Sequence, residues 1–261
     1  MSDAPVLAVT KLRKQFGGVV AVKDVDFEVR RGSITALIGP NGAGKTTVFN
    51  LVTGNYEATA GSVSFTAPDG VAHALVGRRP DRIARLGIAR TFQNIRLFGD
   101  VPTLDNVKLG LHSRTRAGVL AALLRLPAAR EERDVRAAAY RYLDFVGLAD
   151  KSHALARNLP YGEQRRLEIA RALALAPSLL LLDEPAAGMN PQETADLMGL
   201  IRRIRDLGMT VLLIEHDMKL VMGISDHVVV LDHGEVIAAG TPGAVRADPA
   251  VVRAYLGNEE L

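Results

Sequence analysis

Gly39-Pro40-Asn41-Gly42-Ala43-Gly44-Lys45-Thr46-Thr47 has the residue types and spacing of a loop that cradles nucleotide phosphates, G-x-x-x-x-G-K-[ST]. Glycines at 39, 42 and 44 let backbone N–H groups turn inward around an anion. A helix opening at Thr46 adds the partial positive charge of its N-terminus. Lys45 can then reach the β- and γ-phosphates, and Thr46 can ligate Mg²⁺. The bland alternative is a glycine-rich turn with an exposed lysine. The flanks favour the first reading, because Ser33-Ile34-Thr35-Ala36-Leu37-Ile38 reads as a buried strand and Thr46 to Val52 as a helix start.

A second element can do chemistry on the same phosphates. Ser178 to Pro185 is an apolar strand that ends in two carboxylates, Asp183 and Glu184. A buried strand delivers such residues to the carboxyl edge of an open α/β sheet, where ligands bind. Asp183 is expected to hold Mg²⁺ through water, and Glu184 to polarise the water that attacks the γ-phosphate. Read alone, the pair could be an acidic turn that merely closes a strand. Val211 to Asp217 repeats the pattern and places His216 on the same edge, in reach of a γ-phosphate. The other histidines (73, 112, 153, 227 and 233) have no comparable setting.

These residues need a sheet with helices to present them, and the chain supplies three zones. Residues 6 to 75 are strand-rich, with strands expected at Leu7–Thr10, Val25–Val29, Ser33–Ile38 and Ser62–Thr66. Val25 to Val29 alternates apolar and acidic residues, as in a half-exposed antiparallel strand. Residues 95 to 165 are rich in Ala, Leu and Arg, with helical spacing over Arg130–Val146. Pro102 and Thr103 open a helix by proline and capping logic. Gly118–Leu126 is small and apolar, either a packed helix face or one turned to a partner or membrane. Residues 166 to 261 return to βα alternation. The apolar runs Leu179–Leu182, Thr210–Ile214 and Val228–Leu231 suit central parallel strands, and Pro191–Leu207 suits a helix. His233-Gly234 suggests a terminal hairpin.

The 261 residues suffice for one large domain or two small ones, and 48% hydrophobic with 23% charged residues is ordinary globular composition. With no cysteine, disulfides, thiolate catalysis and cysteine-ligated zinc are excluded, in agreement with a reducing cytosol. Met1 to Pro5 lacks a secretory signal pattern, and no apolar run approaches the ~18 residues of a membrane span. The formal net charge is only +3, with basic residues crowded into 78–90 and 114–141. These read as solvated helix faces, or as contacts for anionic headgroups or an acidic partner loop. No basic patch is interleaved with aromatics, so nucleic acid is not an expected partner.

Taken together, the phosphate loop, Asp183–Glu184 and His216 resemble the ATP-binding cassette ATPases of membrane transporters, and the resemblance spans nearly the whole chain. It implies an α/β fold: a P-loop NTPase with a RecA-like core, an N-terminal antiparallel β-subdomain and an inserted α-helical subdomain. Residues 1–261 would be a single cassette, with 95–165 as the insertion that includes the signature motif. By the same resemblance Thr91-Phe92-Gln93-Asn94 is the glutamine loop, with Gln93 sensing Mg²⁺ and the attacking water. Phe16 takes the place of the aromatic residue that stacks on adenine; a core phenylalanine is the alternative. Leu159-Pro160-Tyr161-Gly162-Glu163-Gln164 aligns with the family signature Leu-Ser-Gly-Gly-Gln, which in this family closes the ATP site of another subunit. Tyr161, Gly162 and Glu163 would therefore face a nucleotide. Proline here replaces the serine, tyrosine the first glycine and glutamate the glutamine, so the serine hydroxyl contact is absent. Ala187-Gly188-Met189-Asn190 matches the D-loop, with asparagine for the usual aspartate.

Within that family the phrases over 91–98, 161–171, 184–191 and 254–257 look like the larger ATPase of branched-chain amino-acid importers. This likeness implies ATP and Mg²⁺ as cofactor set. It implies a second homologous ATPase subunit, with a second copy of this chain as the alternative, two transmembrane permease subunits and an extracytoplasmic substrate-binding protein as partners. The location implied is peripheral, at the cytoplasmic face of the inner membrane. A urea or short-amide importer, a lipopolysaccharide exporter and a soluble non-transport ATPase are the competing readings. The exporter branch normally keeps the serine and both glycines of the signature. Tandem cassettes or long coiled coils, usual in soluble types, are not found here.

Overall fold

A computed structural model describes residues 5–112 and 128–256. The Gly118–Leu126 segment, part of the 114–141 basic run and the end of the 254–257 phrase lie outside them.

Two sheets organise the chain. The first is antiparallel, in the order β2-β1-β4-β5, from β1 (Leu7–Phe16), β2 (Val19–Val29), β4 (Ala60–Thr66) and β5 (Ala72–Ala74). The expected alternation holds in β2, where Val25, Phe27 and Val29 are buried and Asp26 and Glu28 exposed. β1 and β2 run further than expected, to a tight turn at Gly17. Their polar extension pairs through register shifts between Val9 and Gln15, which hydrophobic alternation does not signal.

The second sheet has the order β10-β9-β3-β8-β7-β6. Its parallel strands are β3 (Ile34–Ile38), β6 (Ile88–Arg90), β7 (Leu179–Asp183), β8 (Thr210–Ile214) and β9 (His227–Asp232); β10 (Glu235–Gly240) is an antiparallel edge. Every residue of β3, β7 and β8 is buried, as continuous apolar runs require. The strand period of two divides each run between two cores. Leu180, Leu182, Val211 and Leu213 join one hydrophobic cluster, whereas Leu179, Leu181, Leu212 and Ile214 join the other. The hairpin at His233-Gly234 forms with left-handed φ of 44° and 83° at its two central residues, the geometry of a type I′ turn.

Among the described residues, the α-helices between β6 and β7 are α3 (Thr103–His112), α4 (Ala128–Phe145) and α5 (Tyr161–Leu173). The first of these begins at Thr103, directly after Pro102, and the Thr103 hydroxyl donates to the carbonyl of Ala154 at 2.8 Å, tying the helix start to the chain before α5. The other α-helices of the described residues are α1 (Lys45–Val52), α2 (Pro80–Arg85), α6 (Pro191–Asp206), α7 (Met218–Ile224), α8 (Pro242–Arg246) and α9 (Pro249–Leu256). Asn190 caps α6 in a reciprocal box with Glu193, and Pro191 occupies its first turn.

Candidate functional site

β3 ends at Ile38 and the chain turns at once through Gly39, Gly42 and Gly44, with φ of 145°, 81° and 100°. All three are left-handed backbone that L side chains avoid. At Gly39 there is also no room: a Cβ would stand 1.9 Å from the carbonyl oxygen of Leu231, at the end of β9. Gly44 is the N-cap of α1 and provides no side-chain acceptor, nor does the first turn hold an acidic residue. The exposed donors of that turn therefore meet no anion from the chain itself, which suits a phosphate. Pro40, Asn41 and Ala43 complete the loop, whose Ala43 carbonyl accepts from Gly234 N at 3.1 Å. Thr46 is exposed at the helix start and Thr47 half-buried beside it.

Lys45 folds back over the loop. Its Nζ donates to the carbonyls of Gly39 and Pro40 at 2.6 and 2.8 Å. Burial pushes its pKa down, and the charges of Glu184 and Asp183 act in the opposite direction. Those carboxylates thus belong to the same electrostatic site.

β7 delivers the carboxylates as expected. Asp183, buried at its end, accepts through Oδ2 from Arg90 NH2 at 2.7 Å. Glu184 sits at φ 44°, a left-handed conformation costly for a non-glycine residue. Its Oε2 accepts from Gln93 Nε2 at 2.8 Å. Gln93 and Glu184, 91 positions apart in the chain, are thereby brought together.

His216 follows β8 and is exposed. It is carried on a buried carboxylate: Glu215 accepts from the N–H groups of Ala186, His216 and Asp217 at 2.8, 3.1 and 3.5 Å. Burial raises the Glu215 carboxyl above the usual carboxylate range, against those donated bonds. Phe16, at the far tip of β1, is 42% exposed, so it is not a core side chain. It meets Tyr56 edge-to-face, with ring centroids 5.2 Å apart, and Lys14 Nζ stands 4.8 Å from its ring.

The signature residues have different neighbours. Tyr161 OH accepts from Arg165 NH2, Glu163 pairs with Lys151 and Arg166, and a Cβ on Gly162 would stand 2.7 Å from Glu193 Oε1. They open α5, whose N-cap Pro160 makes no side-chain cap bond.

Sequence reasoning missed Arg90, Tyr56, Glu215, Arg165 and Glu168. Arg90 lies in the 78–90 basic run, read as solvated or as a contact for anions or acidic partners, yet its side chain is only 7% exposed. The available signal was its position, since it directly precedes the glutamine loop at the end of an apolar Ile88-Ala89.

A glycine-rich loop after β3, paired carboxylates at the end of β7 and, among the described residues, helices between β6 and β7 are the features of an ATP-binding cassette. The chain belongs to the ABC transporter family, which matches residues 22–187. Residues 235–260 in turn match the family described as branched-chain amino acid ATP-binding cassette transporter. The chain is 46% identical over 255 residues to LivG of Escherichia coli (strain K12), a high-affinity branched-chain amino acid transport ATP-binding protein, covering 97% of this chain and 98% of that one. It is equally similar, over the same shares, to BraF of Pseudomonas aeruginosa, which carries the same description. Among solved structures, an ATP-binding cassette of an ABC transporter in its ADP conformation superposes with a TM-score of 0.83 at 30% identity, covering 97% of this chain and 99% of that one. No helix among the described residues is long and apolar enough to cross a membrane.

Proposed function

We propose that this chain is the ATP-hydrolysing subunit of an importer for branched-chain amino acids. The observation that carries the chemistry is the Gln93–Glu184 hydrogen bond, set beside Lys45 at the carboxyl edge of the sheet. The substrate class rests on the likeness to LivG and BraF over almost the full chain and on the match at residues 235–260.

Gly39 to Thr47 would wrap the phosphates with backbone N–H groups, and Lys45 would leave its two carbonyl partners for phosphate oxygens. Glu184 would accept the proton of the attacking water, and His216 would contact the γ-phosphate. Phe16 would stack on adenine, with Tyr56 supporting it edge-on. Thr46, Gln93 and Asp183 would hold Mg²⁺, whose contribution is to neutralise charge between the β- and γ-phosphates. They fit that ion on their chemistry. Gln93 points its amide N–H₂ at Glu184, which leaves its carbonyl oxygen for a cation.

The signature at Tyr161, Gly162 and Glu163 would complete the site of a second, homologous ATPase, and that subunit's signature would complete this one. Two permease subunits and an extracytoplasmic binding protein would make up the importer, with this chain peripheral on the cytoplasmic face of the inner membrane.

The test is purification in mild detergent through a tag on this chain, followed by ATPase and uptake assays. Co-purification of two polytopic subunits and a second cassette, with ATPase activity raised by a branched-chain amino acid presented on its binding protein, is the expected result. Glu184→Gln should abolish turnover yet retain ATP, since general-base catalysis is worth about 10²–10⁴-fold. Stimulation by urea or an amide instead, or normal turnover by Glu184→Gln, would overturn the substrate class or the base, respectively.

A further inference from the structure

Arg165 and Glu168 lie one turn apart on α5, with side chains 0% and 2% exposed. They pair at 2.8 Å, and both reach across to the glutamine loop. Arg165 NH1 donates to the Phe92 carbonyl at 2.6 Å and NH2 to the Gln93 carbonyl at 2.7 Å. Glu168 Oε1 accepts from the N–H groups of Phe92 and Arg96, both at 3.4 Å. One ion pair therefore serves both donors and acceptors of a segment that has no helix or strand of its own. Arg165 also donates to Tyr161 OH at 3.2 Å, in the first turn of the same helix. A buried ion pair is a poor way to gain stability, because desolvation offsets most of the attraction. Here it fixes backbone geometry that apolar side chains could not.

We propose that Arg165 and Glu168 are positioning residues for hydrolysis: they set the backbone of Phe92–Arg96 so that the Gln93 amide meets Glu184, and they tie that contact to the first turn of the signature helix. This rests on the ATPase reading above. The bidentate fork is essential, because one guanidinium serves both carbonyls, the carboxylate and the Tyr161 hydroxyl. An ammonium at position 165 cannot reach all four. Neither side chain bonds to the phosphate loop; their partners are the glutamine loop and α5. Nucleotide affinity should thus be spared while turnover suffers.

The experiment compares Arg165→Met, Arg165→Lys and Glu168→Gln in the purified transporter complex, each alone and on a Gln93→Ala background. ATP turnover, affinity for a fluorescent ATP analogue and amide exchange over residues 91–98 are measured. Arg165→Met should lower kcat by about tenfold or more, as expected for a displaced catalytic contact, with nucleotide Kd changed less than about threefold. Arg165→Lys should lie between it and the wild type, and amide exchange of 91–98 should rise. On the Gln93→Ala background the same substitutions should change kcat by less than about twofold, because the group they position is gone. Equal losses on both backgrounds would mean a general structural role and overturn the proposal, as would unchanged kcat in a folded variant. Where Arg165→Met does not fold, Glu168→Gln carries the comparison, since it preserves volume and an acceptor. A wild-type complex that does not hydrolyse ATP overturns the functional reading and this one together; normal wild-type turnover with additive losses overturns this one alone.

Discussion

Removing Arg90 should destabilise the chain more than any exposed charge could. Its guanidinium is 7% exposed and lies 2.7 Å from Asp183, itself 4% exposed. NH1 also donates to Asn50 Oδ1 at 2.7 Å and Thr53 Oγ1 at 3.1 Å, and Phe49 and Phe92 present ring faces with centroids 5.5 and 5.2 Å from the guanidinium carbon. Arg90→Met fills much of the volume but leaves a buried carboxylate without its cation, a loss of about 3–5 kcal/mol. Thr53 adds little to the loss, because its hydroxyl still donates to Phe49 O and accepts from Asn55. At about 2–4 °C per kcal/mol for a chain of roughly this size, the melting point should fall by about 6–20 °C. Arg90→Lys keeps the charge but not the fork, and should lose about 1–3 kcal/mol. Adding Asp183→Asn to Arg90→Met removes the orphaned charge and should restore about 2 kcal/mol or more. Urea unfolding followed by circular dichroism reads all four proteins. A loss below about 1 kcal/mol in Arg90→Met, or no recovery in the double variant, would refute the view that this ion pair governs the end of β7.

Phe16→Ala should weaken ATP binding by about 1–3 kcal/mol, the usual worth of a base-stacking side chain, with the melting point nearly unchanged because Phe16 is half-exposed; titration with a fluorescent analogue checks it, and unaltered affinity would remove Phe16 from the site. Gly39→Ala should cost about 2–6 kcal/mol, combining left-handed strain with the 1.9 Å approach to the Leu231 carbonyl, and should show as insoluble protein or a much lower urea midpoint. Glu215 has its carboxyl pKa raised by burial, so between the usual carboxylate range and that raised value the folded chain holds more protons than the unfolded one. Stability from this group should therefore fall as pH rises through that window and level off above it, and Glu215→Met should reduce that slope in urea titrations at several pH values. An identical slope in the variant would assign the dependence to other groups.

Much of the site was legible because its chemistry is local in sequence. Gly39 to Thr47 carries its own glycines, and the Asp183–Glu184 and His216 strands announce their burial by unbroken apolar runs. The strand alternation in Val25–Val29 and the hairpin at His233-Gly234 were legible for the same reason. Longer-range features were not. β6 has three residues, too few for any periodicity, and Arg90 at its end looks like any surface arginine until β7 pairs beside it. Register shifts in the outer half of β1 hide strand under polar residues. Arg165 and Glu168 stand among other charges on α5, and only tertiary packing distinguishes them. Thr103 is the first residue of α3, and its hydroxyl donates to the Ala154 carbonyl, a partner 51 positions on that no local pattern reveals.

The central sheet orders its strands quite differently from their order in the chain. β3, which bears the phosphate loop, pairs with β8 and β9, so its neighbours are residues 210–214 and 227–232. During synthesis the loop emerges long before either strand exists. At about 5–20 residues per second, roughly 10–40 s separate β3 from its second neighbour. Until β8 appears Ile34 to Ile38 is an apolar segment with neither edge covered, and until β9 appears one edge stays open, a template for pairing with other chains. A chain interrupted before β9 would carry the complete nucleotide motif yet lack half the frame that holds it, and its fate would rest with chaperones and proteases rather than with ATP.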